Sequence, residues 1–197
     1  MFKPLRKLYD WVLRWAETPY ATPALFVLAL AESSFFPIPP DVLLMALALS
    51  IPARSFRFAM VCTLGSIIGG VIGYGIGYFG YEAIGKPIID FYHGQDVMAA
   101  IERQYNEYGF LGVLIAAITP IPYKVFTISS GFFHFEFLSF LLASIVGRSF
   151  RFFLVAGLIW KFGPPIKAFI DKYFNILTIV FMVLLIGGFF VIKYALH

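Results

Sequence analysis

Apolar positions along the chain fall into long runs separated by short polar breaks. Residues 2–17 place Leu5, Leu8, Trp11, Val12 and Trp15 at helical spacing, with basic residues on much of the other face. That pattern predicts an amphipathic helix lying in a membrane interface. Residues 21–51 are apolar in two arms, Ala24 to Ala31 and Val42 to Ile51, separated by Glu32-Ser33-Ser34-Phe35-Phe36-Pro37-Ile38-Pro39-Pro40-Asp41. Each arm is about ten residues, or roughly 15 Å of helix, where a full crossing needs about 20 residues. The prolines exclude a continuous helix, because each lacks a backbone donor and clashes with the preceding turn. The expected solution is a re-entrant hairpin turning at Pro37, Pro39 and Pro40, with its non-helical backbone shielded by protein or facing a water-filled cavity.

Residues 56–81 are long and apolar enough for a span, and Gly65, Gly69, Gly73 and Gly77 recur on one helical face. Such a stripe predicts very close helix packing. Residues 82–108 are polar and net acidic, and residues 95–108 read as a surface helix. Residues 109–135 are apolar and broken again: Phe110 to Ile118 leads into Thr119-Pro120-Ile121-Pro122-Tyr123-Lys124, and an apolar run resumes at Val125. This predicts a second re-entrant hairpin, turning at Pro120 and Pro122, with Gly131 following. A second span is expected over 137–160, a short amphipathic connector over 162–175 and a third span over 176–195.

Pro37-Ile38-Pro39 recurs 83 residues later as Pro120-Ile121-Pro122, and Phe79-Gly80 recurs as Phe162-Gly163 at the same offset. Each unit is a broken hairpin followed by one span, so the second unit enters from the opposite side. The fold class expected is therefore an all-α integral membrane protein: an inverted repeat of re-entrant helical hairpin plus transmembrane helix, with amphipathic helices and a C-terminal transmembrane helix. One membrane domain covers 1–197. Within it, 1–19 is the interfacial helix, 20–81 repeat 1, 82–108 an extracytoplasmic connector, 109–161 repeat 2, and 162–197 the connector and last span.

Composition agrees with that reading. Of 197 residues, 60% are hydrophobic and 13% charged, about half the charged fraction of a soluble domain. Disorder is excluded by the hydrophobicity. The net charge of +4 is not gathered into a nucleic-acid stripe. Instead Lys3, Arg6, Lys7, Arg14, Arg54, Arg57, Lys161, Lys167 and Lys172 collect on one predicted side, against Lys86 and Arg103 on the other. The positive-inside rule makes the first side cytoplasmic. The N-terminus is then cytoplasmic and the C-terminus periplasmic, despite Lys193. The basic start is not followed by a signal-peptide core or cleavage site. With a single Cys62, no intrachain disulfide forms.

Charges at membrane depth are functional candidates, since burying one costs about 2.5–3.5 kcal/mol on insertion scales. Five stand out: Glu32 and Asp41 in the first unit, and Lys124, Arg148 and Arg151 in the second. A structural ion pair is the plain alternative. If the hairpin tips meet, Asp41 and Lys124 occupy symmetry-related positions. Functionally, Glu32 and Asp41 suit proton or ion coupling, and Lys124, Arg148 and Arg151 suit an anionic head group. Arg148 and Arg151 share one helix face. The histidines His93, His134 and His197 show no metal-ligand spacing, and no nucleophile elbow or P-loop occurs. No enzyme activity, metal, cofactor or nucleic-acid partner is expected.

These motifs resemble the DedA family, whose unit is also called the VTT or SNARE-associated Golgi protein domain, and within it the YqaA-like bacterial branch. The resemblance rests on Glu32, Pro37, Pro39 and Asp41, on residues 119–124 with Gly131, and on Gly147-Arg148-Ser149-Phe150-Arg151-Phe152. It covers roughly residues 20–165. It implies a multi-pass protein of the bacterial inner membrane with two opposed re-entrant hairpins, moving phospholipids or polyprenyl phosphates between leaflets, in some members with protons. Many members carry two arginines around the second hairpin proline. Thr119 and Lys124 stand there instead, which makes Arg148 and Arg151 the substitutes to look for. The function expected is thus a flippase- or scramblase-like lipid transporter, with membrane lipids and protons as partners and a homo-oligomer compatible with the sequence. A non-transporting scaffold or assembly factor, or a small-solute secondary transporter, is the alternative.

Overall fold

A computed structural model describes residues 20–35, 39–91, 95–119, 121–163 and 165. The interfacial helix over 2–17, the last span over 176–195, nearly all of the 162–175 connector, and Pro37 and Pro120 lie outside the described residues. Every regular element among those described is helical.

In chain order these are α1 (Ala21–Ser34), α2 (Asp41–Ser50), a 3₁₀ turn (Pro52–Arg54), α3 (Ser55–Gly80), a π turn (Tyr81–Gly85), α4 (Lys86–Phe91), α5 (Gln95–Ile118), α6 (Tyr123–Phe132) and α7 (Phe137–Gly163). The Pro-rich segments break the chain where expected. Pro40 and Pro122 sit immediately before α2 and α6, so they open the second arm of each broken pair. At a helix start the missing proline N–H costs nothing. Gly131, grouped with the hairpin turn in sequence, lies in the last turn of α6. The surface helix expected over 95–108 and the apolar arm after it form one helix, Gln95–Ile118. No proline divides them, and Gly109 costs a helix only about 1 kcal/mol.

Two helical stretches are long and apolar enough to cross a membrane, Pro52–Ala83 and Phe137–Gly163. They run antiparallel. Phe56 at the start of α3 packs on Phe153 and Trp160 late in α7, whereas Tyr74 packs on Phe137 and Phe140 at its beginning. Their polarity is the reverse of a soluble helix. The exposed side of α3 carries Met60, Leu64, Ile68, Ile72, Ile76 and Phe79, and that of α7 carries Leu138, Leu142, Val146, Phe150, Leu154 and Leu158. The buried side holds Thr63, Ser66, Ser144 and Arg148. Hydrocarbon outside and polar groups inside fit a lipid solvent.

The glycine stripe of α3 brings two short helices into backbone contact. A Cβ on Gly65 or Gly69 would strike the carbonyls of Phe26 and Leu30 in α1, and one on Gly77 would strike Ile128 O in α6. Gly131 returns the contact from α6 onto the Tyr74 carbonyl. Thus α1 occupies the first half of α3 and α6 the second, and the two meet where Ser33 O accepts from Thr127 Oγ1 at 3.0 Å. Two apolar cores result. One joins Leu25, Leu44, Phe58, Cys62 and Phe152; the other joins Val113, Ala117, Tyr123, Phe140 and Ala143. The polar side chains lie between them.

Candidate functional site

Four of the five sequence candidates meet as two acid–arginine pairs. Glu32 ends up near the C-terminus of α1 and Asp41 at the first residue of α2, one on each side of the proline break. Arg148 and Arg151 reach them from one face of α7, near the middle of that helix.

Arg148 is buried. Its Nη2 donates to Glu32 Oε2 at 2.7 Å and to Ser33 Oγ at 3.1 Å. The guanidinium lies 4.1 Å from the centroid of the Tyr123 ring and 5.4 Å from that of Phe152. Cation–π contact of this kind holds the planar group between two aromatic faces. Its Nε is enclosed and has no acceptor among the described residues. A charged donor left over in a desolvated place is costly, and it can take an anionic oxygen. Ser33 extends the network, with its Oγ 2.7 Å from Ser66 Oγ in α3.

Arg151 and Asp41 form a two-pronged pair, Nε to Oδ1 at 3.1 Å and Nη2 to Oδ2 at 2.9 Å. The planar fork of arginine matches a carboxylate in this way. Nη1 of Arg151 donates to the carbonyl of Thr119, at the end of α5. One side chain therefore joins both proline-broken segments. The pair is more open than the first, with side chains 18% and 17% exposed against 3% and 13% for Arg148 and Glu32.

Lys124 lies half-buried in the first turn of α6, where its carbonyl accepts from Thr127 Oγ1. Each Asp41 oxygen accepts a hydrogen bond from the span arginine Arg151. Gly131 belongs to the contact between α6 and α3 and not to the charged centre. Sequence reasoning missed Ser33, Ser66, Tyr123 and the Thr119 carbonyl. Ser33 and Tyr123 adjoin flagged charges, and that adjacency was the available signal. The Thr119 carbonyl carries no sequence signal at all.

The VTT domain, as a family profile, matches residues 38–161. That is well over half of the chain, and it contains Asp41, Lys124, Arg148 and Arg151. The chain belongs to the VTT-domain family. The DedA resemblance read from the motifs is therefore right, and with the two lipid-suited helices it makes this a VTT-family membrane protein. An uncharacterized protein of Haemophilus influenzae is 32% identical over 186 residues, covering 94% of this chain and 96% of that one. An uncharacterized protein of Histophilus somni is 34% identical over 168 residues, covering 83% and 87%. No solved structure matches. Among the described residues no cluster of histidine, cysteine and acidic side chains is placed to hold a metal.

Proposed function

We propose that this VTT-family protein moves lipid between the leaflets of a bacterial inner membrane, as a flippase- or scramblase-like transporter. The observation carrying the proposal is the pair of buried acid–arginine bridges beside two proline breaks, with Arg148 Nε unpaired among the described residues. A structural ion pair needs no spare donor; a site that receives an anion does. The head group passes along the arginines while its tails remain in the surrounding lipid.

Charge balance supplies the coupling. Two carboxylates and two guanidiniums cancel, so an arriving phosphate adds an uncompensated negative charge to a desolvated place. Protonation of Glu32 removes that excess and frees Arg148 for the phosphate oxygen. Anion and proton then move together. The two broken helical pairs act as opposed re-entrant hairpins, and the antiparallel α3 and α7 are what an inverted repeat requires. Arg54, Arg57 and Lys161 lie at the end where α3 begins and α7 finishes, which supports a cytoplasmic face there.

The test is leaflet exchange in proteoliposomes across a panel of labelled phospholipids and polyprenyl phosphate. Accelerated exchange is expected, with Glu32→Gln abolishing it in a folded protein. No exchange of any of these lipids overturns the proposal, and unchanged exchange in Glu32→Gln removes Glu32 from the mechanism.

A further inference from the structure

A second titratable pair lies well away from the centre. His134 Nδ1 is 3.3 Å from Glu102 Oε1 of α5, with side chains 32% and 33% exposed. His134 has φ +50°, the one positive value at a non-glycine position among the described residues. It closes α6, its N–H bonded to Gly131 O, in the left-handed place that glycine or asparagine ordinarily takes. An L-residue there costs about 1–2 kcal/mol, so a histidine calls for an explanation from its side chain. The imidazole stands perpendicular to two tyrosine rings, Tyr81 at 4.5 Å and Tyr78 at 5.2 Å between centroids. Tyr81 opens the π turn that continues α3, and π turns inside helices often mark functional positions.

We propose that Glu102–His134 is a proton-binding site that controls how firmly α5 is clasped to the ends of α3 and α6. This goes beyond lipid transport and does not depend on it. The imidazole takes one proton from water, and Nδ1–H then faces the Glu102 carboxylate as an ion pair. Loss of that proton to water removes the opposite charge, so the ion-pair attraction ends and the neutral imidazole keeps at most one hydrogen bond to the still-ionised carboxylate. Histidine is the side chain that changes charge near neutral pH. The clasp is tight in mild acid and loose in mild alkali.

The other groups around the imidazole do not compete for this role. Tyr78 and Tyr81 contribute rings. Tyr105, one turn along α5 from Glu102, packs on Phe133 and Phe135 and bonds toward Ser130 and Phe126 O. Glu136, two residues on, accepts from the first-turn N–H groups of Leu138 and Ser139 in α7. Glu82 faces Lys86 at 4.0 Å. The clasp also has a route to the centre. Glu102 is about 24 Å along α5 from its C-terminal end, where the Thr119 carbonyl meets Arg151.

The experiment is a spin-label distance measurement on the full chain in nanodiscs, with labels at the exposed Ala99 of α5 and Leu138 of α7. Spectra are compared at about pH 5.5 and about pH 8.5, either side of the histidine range. The expected result is a narrow distance distribution in acid that broadens in alkali. His134→Asn keeps a residue tolerant of left-handed backbone and should give the broad distribution at both pH values, as should Glu102→Gln. A distribution unchanged with pH in the unsubstituted protein overturns the proposal. A pH response that survives in His134→Asn overturns it equally.

Discussion

Removing the Glu32 carboxylate leaves Arg148 charged and buried, with Ser33 Oγ as its remaining hydrogen-bond partner. Stripping one partner from a buried ion pair costs about 3–5 kcal/mol, since the other charge stays desolvated. For a chain of this length each kcal/mol moves the unfolding midpoint by about 2–4 °C, so Glu32→Ala should lower it by roughly 6–20 °C. Arg148→Met should cost less, because an orphaned Glu32 can neutralise by protonation while Met still fills the slot between Tyr123 and Phe152. The double variant should be more stable than the sum of the singles by about 1–3 kcal/mol, the coupling found for directly contacting charges. Thermal unfolding in detergent, followed by helical circular dichroism, gives all four corners of the cycle. Strict additivity, or an unmoved midpoint in Glu32→Ala, would refute the buried pair. Asp41→Ala should shift the midpoint less, because its pair with Arg151 is more open to screening.

Three further outcomes follow from the packing and the termini. Gly77→Ala and Gly131→Ala each push a methyl group into a neighbouring backbone carbonyl and should lower the unfolding midpoint by the equivalent of about 1–3 kcal/mol. Gly75→Ala meets open space and should hold or raise it, by up to about 1 kcal/mol from helix propensity. Glu136 caps α7, and hydrogen bonds from the Ser139 side chain and backbone hold its carboxyl below the usual 4.5. A lowered folded value gives stability that is present above the unfolded value and lost as pH falls through the folded one. Glu136→Gln should therefore flatten the acid limb of a stability–pH curve below the ordinary carboxylate range and leave neutral pH less affected.

Legibility from sequence divided along physical lines. Proline breaks, glycine spacing and span length are backbone properties set by local composition, and the helices follow them closely. The charges were also visible, because five ionisable side chains in apolar surroundings have few innocent explanations. Their pairing was not visible. The internal repeat puts Asp41 and Lys124 at matching offsets, and nothing in it points to Arg151 of α7 as the two-pronged partner of Asp41. The run of α5 through residue 108 was hidden by a change from polar to apolar composition, which resembles a boundary although nothing in the backbone chemistry stops the helix. Tyr123 as the platform for Arg148 depends on a contact 25 residues away in sequence and has no local pattern.

In the proposed function, lipid head groups pass along Arg148 and Arg151. The most direct measurement is the leaflet-exchange rate of a labelled anionic phospholipid in proteoliposomes holding equal amounts of unsubstituted protein, Arg148→Gln, Arg151→Gln or Gly75→Ala. Fast exchange is expected for the unsubstituted protein and Gly75→Ala, and loss of exchange in both folded arginine variants. Exchange at the unsubstituted rate in Arg148→Gln and Arg151→Gln would contradict it.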